Sequence, residues 1–563
     1  MSKEQGSESA VSGSQFIKEE KVAEEKEAPK KVSRKDFVKG AAAVAGAGAL
    51  ASCAPAATPA PTTAPGETAG PTPWIPEKWD YEADVVIVGY GGAGAVTAIV
   101  AHDAGAKVLI LEAAPEGRHG GTTRVSGNIY IAPPPGMEEE EYEYLKNQDY
   151  GDQVEDEILR TVAAEMMEVE GWIGSLGGEP VEIPYPPVFN VPGSEACRRM
   201  VVGQEGMGNS HLWNLYEENV RERGIEVLYA SPAGSLVATP EREVLGVVAE
   251  GAQGELHIKA LRAVVLATGG FSANQEMLKD YAPGWPLFYW GCPYNTGAGY
   301  LMAQALGAEL SAMNNIRAPQ RASLKVPDFD AVFPIAMPGN SFVFVNKFGE
   351  RFMNEVKTNV YSWGWREIIE FDFDRLTFPQ IPWYAIFDQA LMDAGPIQPW
   401  NFMGWNAIVE GYEWSSDNQA ELAKGWILKA DTLEEVADKI AGLDGNEGKM
   451  DAATLKATME AYDKACRDGM DPCLGRPADK LIAVSGPPYY FVELWPLVHA
   501  TQGGPKRDAD ARIIDVFGDV IPRLYSAGEM GSWWGSGYDG GVIEAIPSGR
   551  IAGRKAAAEE PWG

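Results

Sequence analysis

The chain has 563 residues, 45% of them hydrophobic, which is enough for a large buried core and more than one compact domain would need. A formal net charge of -33 offers no basic face to nucleic-acid phosphates and describes a solvated, self-repelling surface. No stretch approaches the roughly 20 consecutive strongly apolar residues that span a bilayer.

In chain order, residues 1–32 are rich in Lys, Glu and Ser without apolar periodicity, which predicts disorder. Ser33-Arg34-Lys35-Asp36-Phe37 then leads into an Ala/Gly run from Gly40 to Leu50, closed by Leu50-Ala51-Ser52-Cys53. A charged region, a short apolar region and small residues before a cysteine resemble a twin-arginine signal ending in a bacterial lipobox, with Lys35 in place of the second arginine. The resemblance implies export to the cell envelope, with Cys53 as a lipid-bearing N-terminus on the membrane's outer face. A short disordered Ala/Gly tract is the plain alternative. Residues 54–80, rich in Pro, Ala and Thr at first, read as a spacer.

Asp84-Val85-Val86-Ile87-Val88 suits a buried parallel strand, and it feeds Gly89-Tyr90-Gly91-Gly92-Ala93-Gly94. A helical pattern follows through Ala104, then a strand from Lys107 to Leu111 that ends at Glu112 and Ala113. The glycines permit a tight turn and a close approach of backbone to a pyrophosphate at a helix N-terminus. Glu112, 23 residues after Gly89, stands where an acid binds a ribose diol. Three further segments extend the pattern: Gly120-Gly121-Thr122-Thr123-Arg124-Val125-Ser126-Gly127, Val264-Val265-Leu266-Ala267-Thr268-Gly269-Gly270, and Leu524-Tyr525-Ser526-Ala527-Gly528-Glu529 with Gly540-Gly541-Val542 beyond it.

Together these motifs resemble the FAD-binding flavoproteins that include fumarate reductases, urocanate reductases and 3-ketosteroid Δ1-dehydrogenases, from about Glu82 to Ala558. The resemblance implies an α/β fold: a Rossmann-type FAD-binding domain with a mixed parallel sheet, contributed by residues 81–309 and 485–563. An α+β capping domain is inserted at 310–484. It implies non-covalent FAD, since the family's covalent histidine lies several residues before the double glycine and His119 directly adjoins it. Gly89, Gly91, Gly92, Ala93 and Gly94 would hold the pyrophosphate, Gly120 to Gly127 the pyrophosphate and ring, and Ala267, Thr268 and Gly269 the adenosine half. Glu529, after Gly528, would bind ribityl hydroxyls, and the helix starting near Gly541 and Val542 would face the flavin N1/O2 edge, its dipole favouring the reduced anion.

The fumarate-type catalytic shell is expected to be depleted. Gly349 to Glu355 matches the family's G-x-R-F-x-N-E motif, but the proton-donating arginine position falls on Asn359 and its relay on Ile335 and Pro338. The clamp arginine position falls on Tyr538, as in the ketosteroid dehydrogenases. Such a shell disfavours a dicarboxylate, whose charges would be buried without cations. His499, in His499-Ala500-Thr501-Gln502-Gly503-Gly504, is retained and is expected with Tyr538 to polarise a substrate carbonyl, while Tyr361 stands in as proton donor. Trp363, Trp365, Trp383, Trp400, Trp405, Trp414 and Trp426 either line an apolar pocket or pack the cap.

The expected activity is hydride transfer between flavin N5 and an activated carbon–carbon bond beside a carbonyl, with an apolar or ring-containing ketone or enoate as substrate. The rivals are a fumarate-reductase-like enoate reductase using other donors, a non-catalytic flavin redox carrier lipoprotein, and an oxidase that passes electrons to oxygen. The five cysteines form no C-x-x-C pair and show no metal-site spacing, so neither haem attachment nor an iron–sulfur or zinc site is expected, and electrons would pass to a separate cytochrome or quinone-linked protein. Cys197, Cys292, Cys466 and Cys473 are expected to be small buried hydrophobes.

Overall fold

The computed structural model describes residues 75–149, 153–187, 190–317, 322–356, 366–531, 533 and 540–562, all within one compact unit that begins at Thr63. The signal-like segment with Arg34, Lys35 and Cys53, and also Tyr361, Asn359, Trp363, Trp365 and Tyr538, lie outside the described residues.

The apolar run before the first glycine loop forms strand β1, Tyr81–Val88, fully buried from Val85 to Val88. Helix α1, Gly92–Asp103, follows, then β2, Val108–Leu111. Two strands from much later in the chain complete the same sheet: β3, Gly254–Leu266, and β4, Val520–Ser526. The order across the sheet is β4-β3-β1-β2, with Arg512–Ile514 outside β4 and Glu226–Leu228 outside β2. Strands β4, β3, β1, β2 and Glu226–Leu228 run parallel. Antiparallel strands Ala233–Ala238 and Val244–Gly251 extend from β3 and make the sheet mixed.

Strand register decides where the motifs meet. Val88 pairs with both Leu111 and Leu266, and Leu266 pairs with Ser526. The carboxyl ends of four strands therefore stand abreast, and the next residues, Gly89, Glu112, Ala267 and Ala527, emerge along one edge. Open α/β sheets bind ligands at such an edge. Helix α2, Gly541–Ala558, packs against α1, and the two helices share a buried cluster of Ala, Val and Ile.

The middle of the chain builds a second sheet, ordered Phe333–Pro334, Ala322–Leu324, Tyr489–Val498, Trp383–Phe387, Phe342–Val345. It also recruits Phe288–Tyr289 and Leu428–Ala430, so strands from before residue 310 and after residue 484 belong to it. Its core holds Trp383, Trp414 and Trp426. Trp405 is buried in a smaller cluster with Val125 and Cys292. Among the described tryptophans expected in the cap, packing accounts for all but Trp400. No described helix is long and apolar enough to cross a membrane. Cys197 and Cys292 are buried as expected and Cys466 is half-buried, but Cys473 is exposed: it follows the Asp471 turn that caps a surface loop.

Candidate functional site

A continuous cavity runs from the aligned strand ends to the second sheet. At one end its wall is mostly backbone. Gly89 has φ +105°, and a side-chain carbon there would meet the Ala267 carbonyl oxygen at 2.4 Å; at Gly94 it would meet the Gly89 oxygen at 2.0 Å. These two glycines are required by the turn itself, and Gly94 lies beneath the loop rather than in the wall. Gly91 is different. Its φ is an ordinary -94°, and the nearest protein atom to an added Cβ is 3.8 Å away. Nothing in the protein demands a glycine there, so the open space fits a ligand that approaches the backbone at the N-terminus of α1.

The second loop is tied to the first, since Gly92 N donates to Thr123 Oγ1 at 3.1 Å. Gly121, Thr122, Thr123, Ser126 and Gly127 line the cavity. Gly120 does not; its φ of +108° turns the chain where a side chain would strike Trp213 at 2.8 Å. His119 also lies outside the wall: its imidazole stacks on Tyr90 at 5.2 Å and pairs with Glu217 at 2.7 Å.

Glu112 is buried at the end of β2, with Oε2 accepting from Tyr90 N and Oε1 from Ala114 N, each at 2.7 Å. Burial pushes its carboxyl above the usual range while these backbone donors oppose the shift. The carboxylate is thus locked in place, with lone pairs remaining for a ribose diol. Glu529, beyond β4, also faces the cavity and accepts from Thr501 N at 2.7 Å. Burial raises its carboxyl to about 7, the Thr501 amide opposing. Thr501 is turned inward, its Oγ1 accepting from Phe271 N at 2.8 Å, so it supports Glu529 and is not itself part of the wall. Ala93, Ala113, Ala267, Thr268, Gly269, Gly528, Gly541 and Val542 complete this end. Two anchored carboxylates for sugar hydroxyls, a helix N-terminus and an unfilled glycine loop suit a flavin dinucleotide.

The other end is built of side chains, and here the structure adds residues that the sequence motifs do not contain. Arg317 and Arg199, 2% and 4% exposed, reach the cavity wall. Arg317 lies beside His499: Arg317 N donates to Ala500 O at 2.8 Å and His499 N to Arg317 O at 3.0 Å. His499 lines the same cavity as Arg317, the two residues joined there through their backbones. These two arginines come from outside the aligned clamp and relay positions, of which Asn359 and Tyr538 lie outside the described residues. Arg199 begins the strand Arg199–Val202 and lies 5.1 Å over the Tyr185 ring. Trp290 lies 6.0 Å from the His499 ring and 6.4 Å from Trp400, and Met207 and Met403 add further apolar wall. The backbone at Gly404 presses on Trp290, since a Cβ there would strike its ring nitrogen at 1.9 Å.

The Gly349 to Glu355 motif is structural in its described part. Arg351 makes two bonds to Glu355, at 2.7 and 2.8 Å, and pairs with Asp471 at 3.1 Å, while buried Arg476 reaches Glu355 at 3.4 Å. None of these groups lines the cavity. Ile335 is buried in the cap core.

Comparison with known proteins accords with this geometry. Residues 84–542 match the family model described as FAD binding domain. The chain is 28% identical to urocanate reductase of Eggerthella lenta, over 86% of this chain and 76% of that protein. It is 26% identical to vinyl phenol reductase of Lactiplantibacillus plantarum, over 84% and 96% respectively. In fold it is similar to 3-ketosteroid Δ1-dehydrogenase of Sterolibacterium denitrificans, with a TM-score of 0.68 and 23% identity, covering 85% of this chain and 99% of that one. The chain belongs to the FAD binding domain family and is an FAD-dependent oxidoreductase.

Proposed function

We propose that the protein reduces an α,β-unsaturated acid whose carboxylate is held by Arg317 and whose body is apolar or aromatic. The observation that carries this reading is that Arg317, bonded through its backbone to His499 and Ala500, lines with His499 and the neighbouring Trp290 and Trp400 rings the cavity that begins at the glycine loop. FAD, when bound, supplies hydride chemistry at N5. Gly91 and the start of α1 would hold its pyrophosphate, Glu112 its ribose and Glu529 its ribityl chain. Gly541 and Val542, at the start of α2, would face the N1/O2 edge.

Arg317 offers a planar fork to a carboxylate, and His499 a hydrogen bond to the same group or to a conjugated carbonyl. Both would stabilise the charge that builds on the carbonyl oxygens as hydride reaches the far alkene carbon. The aromatic wall excludes water and orients a planar substrate. Tyr361 or a water is assigned the proton for the adjacent carbon, and Tyr538 a second contact to the substrate carbonyl. The names of the urocanate and vinyl phenol reductases support a double bond conjugated to a ring.

Anaerobic assays with reduced viologen should show turnover with aryl acrylates, weaker turnover with short enoates and little with fumarate. Absence of turnover with every enoate and enone, with the flavin still reducible, would favour the redox carrier. Dehydrogenation of a steroid-like ketone would reverse the assigned direction.

We further propose that the protein is exported and tethered through Cys53, exchanging electrons with a separate cytochrome or quinone-linked protein. Cys53→Ser should move the protein from the membrane fraction to the soluble one in an expressing bacterium; unchanged partitioning refutes the anchor.

A further inference from the structure

Arg507 and Glu544 form an ion pair that the assigned functions of the site leave unused. Their side chains are 0% and 1% exposed. Arg507 follows the short strand Gly504–Pro505, and Glu544 sits in the first turn of α2. The guanidinium bonds the carboxylate, donates Nη2 to Gly528 O at 3.2 Å and lies 4.4 Å over the Trp533 ring. Glu544 Oε1 also accepts from Trp533 N at 3.0 Å. Arg507 Nε and Nη1 and Glu544 Oε2 have no hydrogen-bond partner among the described residues. An incompletely bonded buried pair is a poor stabiliser, and apolar replacements commonly do as well. Its location is the informative feature. It bridges the two stretches of backbone that bring Gly528 and Glu529 on one side, and Gly541 and Val542 on the other, to the cavity.

We propose that the Arg507–Glu544 pair sets the reduction potential of bound FAD by fixing the net charge behind the start of α2. The inference rests on the flavin edge facing Gly541 and Val542, and is independent of the substrate. FAD that has taken up two electrons and one proton carries a negative charge, which the positive end of α2 favours. A lone carboxylate in the first turn of that helix would oppose this effect, and Arg507 cancels it. Removing either partner therefore moves the potential in opposite directions. The other ionisable groups around Glu544 are the Glu529 carboxyl and the Tyr300 hydroxyl, whose single proton is shared between Gly503 O at 2.8 Å and Glu529 O at 3.0 Å. Burial raises the Glu544 carboxyl to about 7 and Arg507 opposes the rise, so without Arg507 this acid holds its proton to higher pH.

The test is the midpoint potential of FAD in the loaded, substrate-free protein, equilibrated with reference dyes across pH. Above pH about 7, where Glu544 is ionised in the parent, Glu544→Gln leaves the guanidinium uncompensated and should raise the potential. Arg507→Met should lower it relative to the parent below pH about 7, where the parent pair is cationic, and again at high pH once the unpaired Glu544 ionises. The double variant Arg507→Met/Glu544→Met should fall between the two. If Glu544→Gln does not retain FAD, Glu544→Asp, which withdraws the carboxylate by one methylene, should give a smaller rise. Shifts of the same sign in the two single variants, or none with FAD retained, overturn the proposal. Val542→Asp places a charge in the cavity wall and separates the two assignments. A fall there without a shift in the Glu544 variants removes the pair's role and keeps the flavin placement; no shift in either removes both.

Discussion

At the cofactor end of the cavity the wall is backbone, with glycines and two carboxylates spaced along strand ends that the sheet register brings abreast. At the end proposed for the substrate the wall is side chains: Tyr185, Arg199, Trp290, Arg317, Trp400 and His499, drawn from loops and strand ends of separate parts of the chain. A backbone site depends on φ angles and close approaches, which restrict residue type and leave a spaced motif. A side-chain site depends on which loops the fold brings together, and any of many positions can supply a cation or a ring.

The contrast can be broken most severely at Gly91. Gly91→Ala has space within the protein but none beside a pyrophosphate, so FAD affinity should fall at least about 100-fold, or about 2.7 kcal/mol, while the apoprotein keeps its melting temperature. Flavin absorbance after gel filtration, with a thermal melt, checks both halves of that statement. If the variant holds FAD, the loop does not cradle the dinucleotide.

The second variant addresses the substrate end. Arg317→Gln should leave FAD content unchanged and lower kcat/KM for an unsaturated acid about 100-fold, as expected when a charged hydrogen bond to the reacting group is lost. Equal losses for acids and for uncharged enones would show that Arg317 does not read a carboxylate.

The smallest effect concerns Glu529, whose folded-state carboxyl titrates near 7 because it is buried. Its proton is held more tightly folded than unfolded, so its contribution to apoprotein stability is fully present below the ordinary carboxylate pKa and is lost as pH rises through about 7. Glu529→Gln should flatten that part of the stability–pH curve, measured by denaturant unfolding of the FAD-free protein. A curve unchanged in shape would place the titration elsewhere.

The same contrast explains what the sequence made legible. Val85 to Leu111 announces strand, turn, helix and strand through apolar runs and glycines, and the observed elements follow that order. Gly94 and Gly120 belong to the motifs yet not to the wall, because the motif records what the turn needs as well as what the ligand touches. Arg317 was invisible for the opposite reason. It lies in an irregular stretch after Leu310–Ser311, and the bridge of Ile316 with Thr501 and the flanking backbone bonds to Ala500 and His499 bring it to that strand end. The motif positions at Asn359 and Tyr538 carry no cation, and a motif is silent on cations supplied from elsewhere in the chain. Trp400 carried no mark distinguishing it from Trp383, Trp414 and Trp426, which pack the core.

The sheet order has a consequence for biogenesis. Strand β3 lies between β1 and β4, and α2 packs on α1, so the cofactor site is joined from the earliest and the latest parts of its domain. During synthesis the glycine loop emerges long before its Glu529 and α2 counterparts, and no complete flavin cradle exists until they arrive. FAD capture is therefore a closing event that reports a finished chain, and a nonsense truncation before α2 should yield colourless protein however well its earlier strands fold.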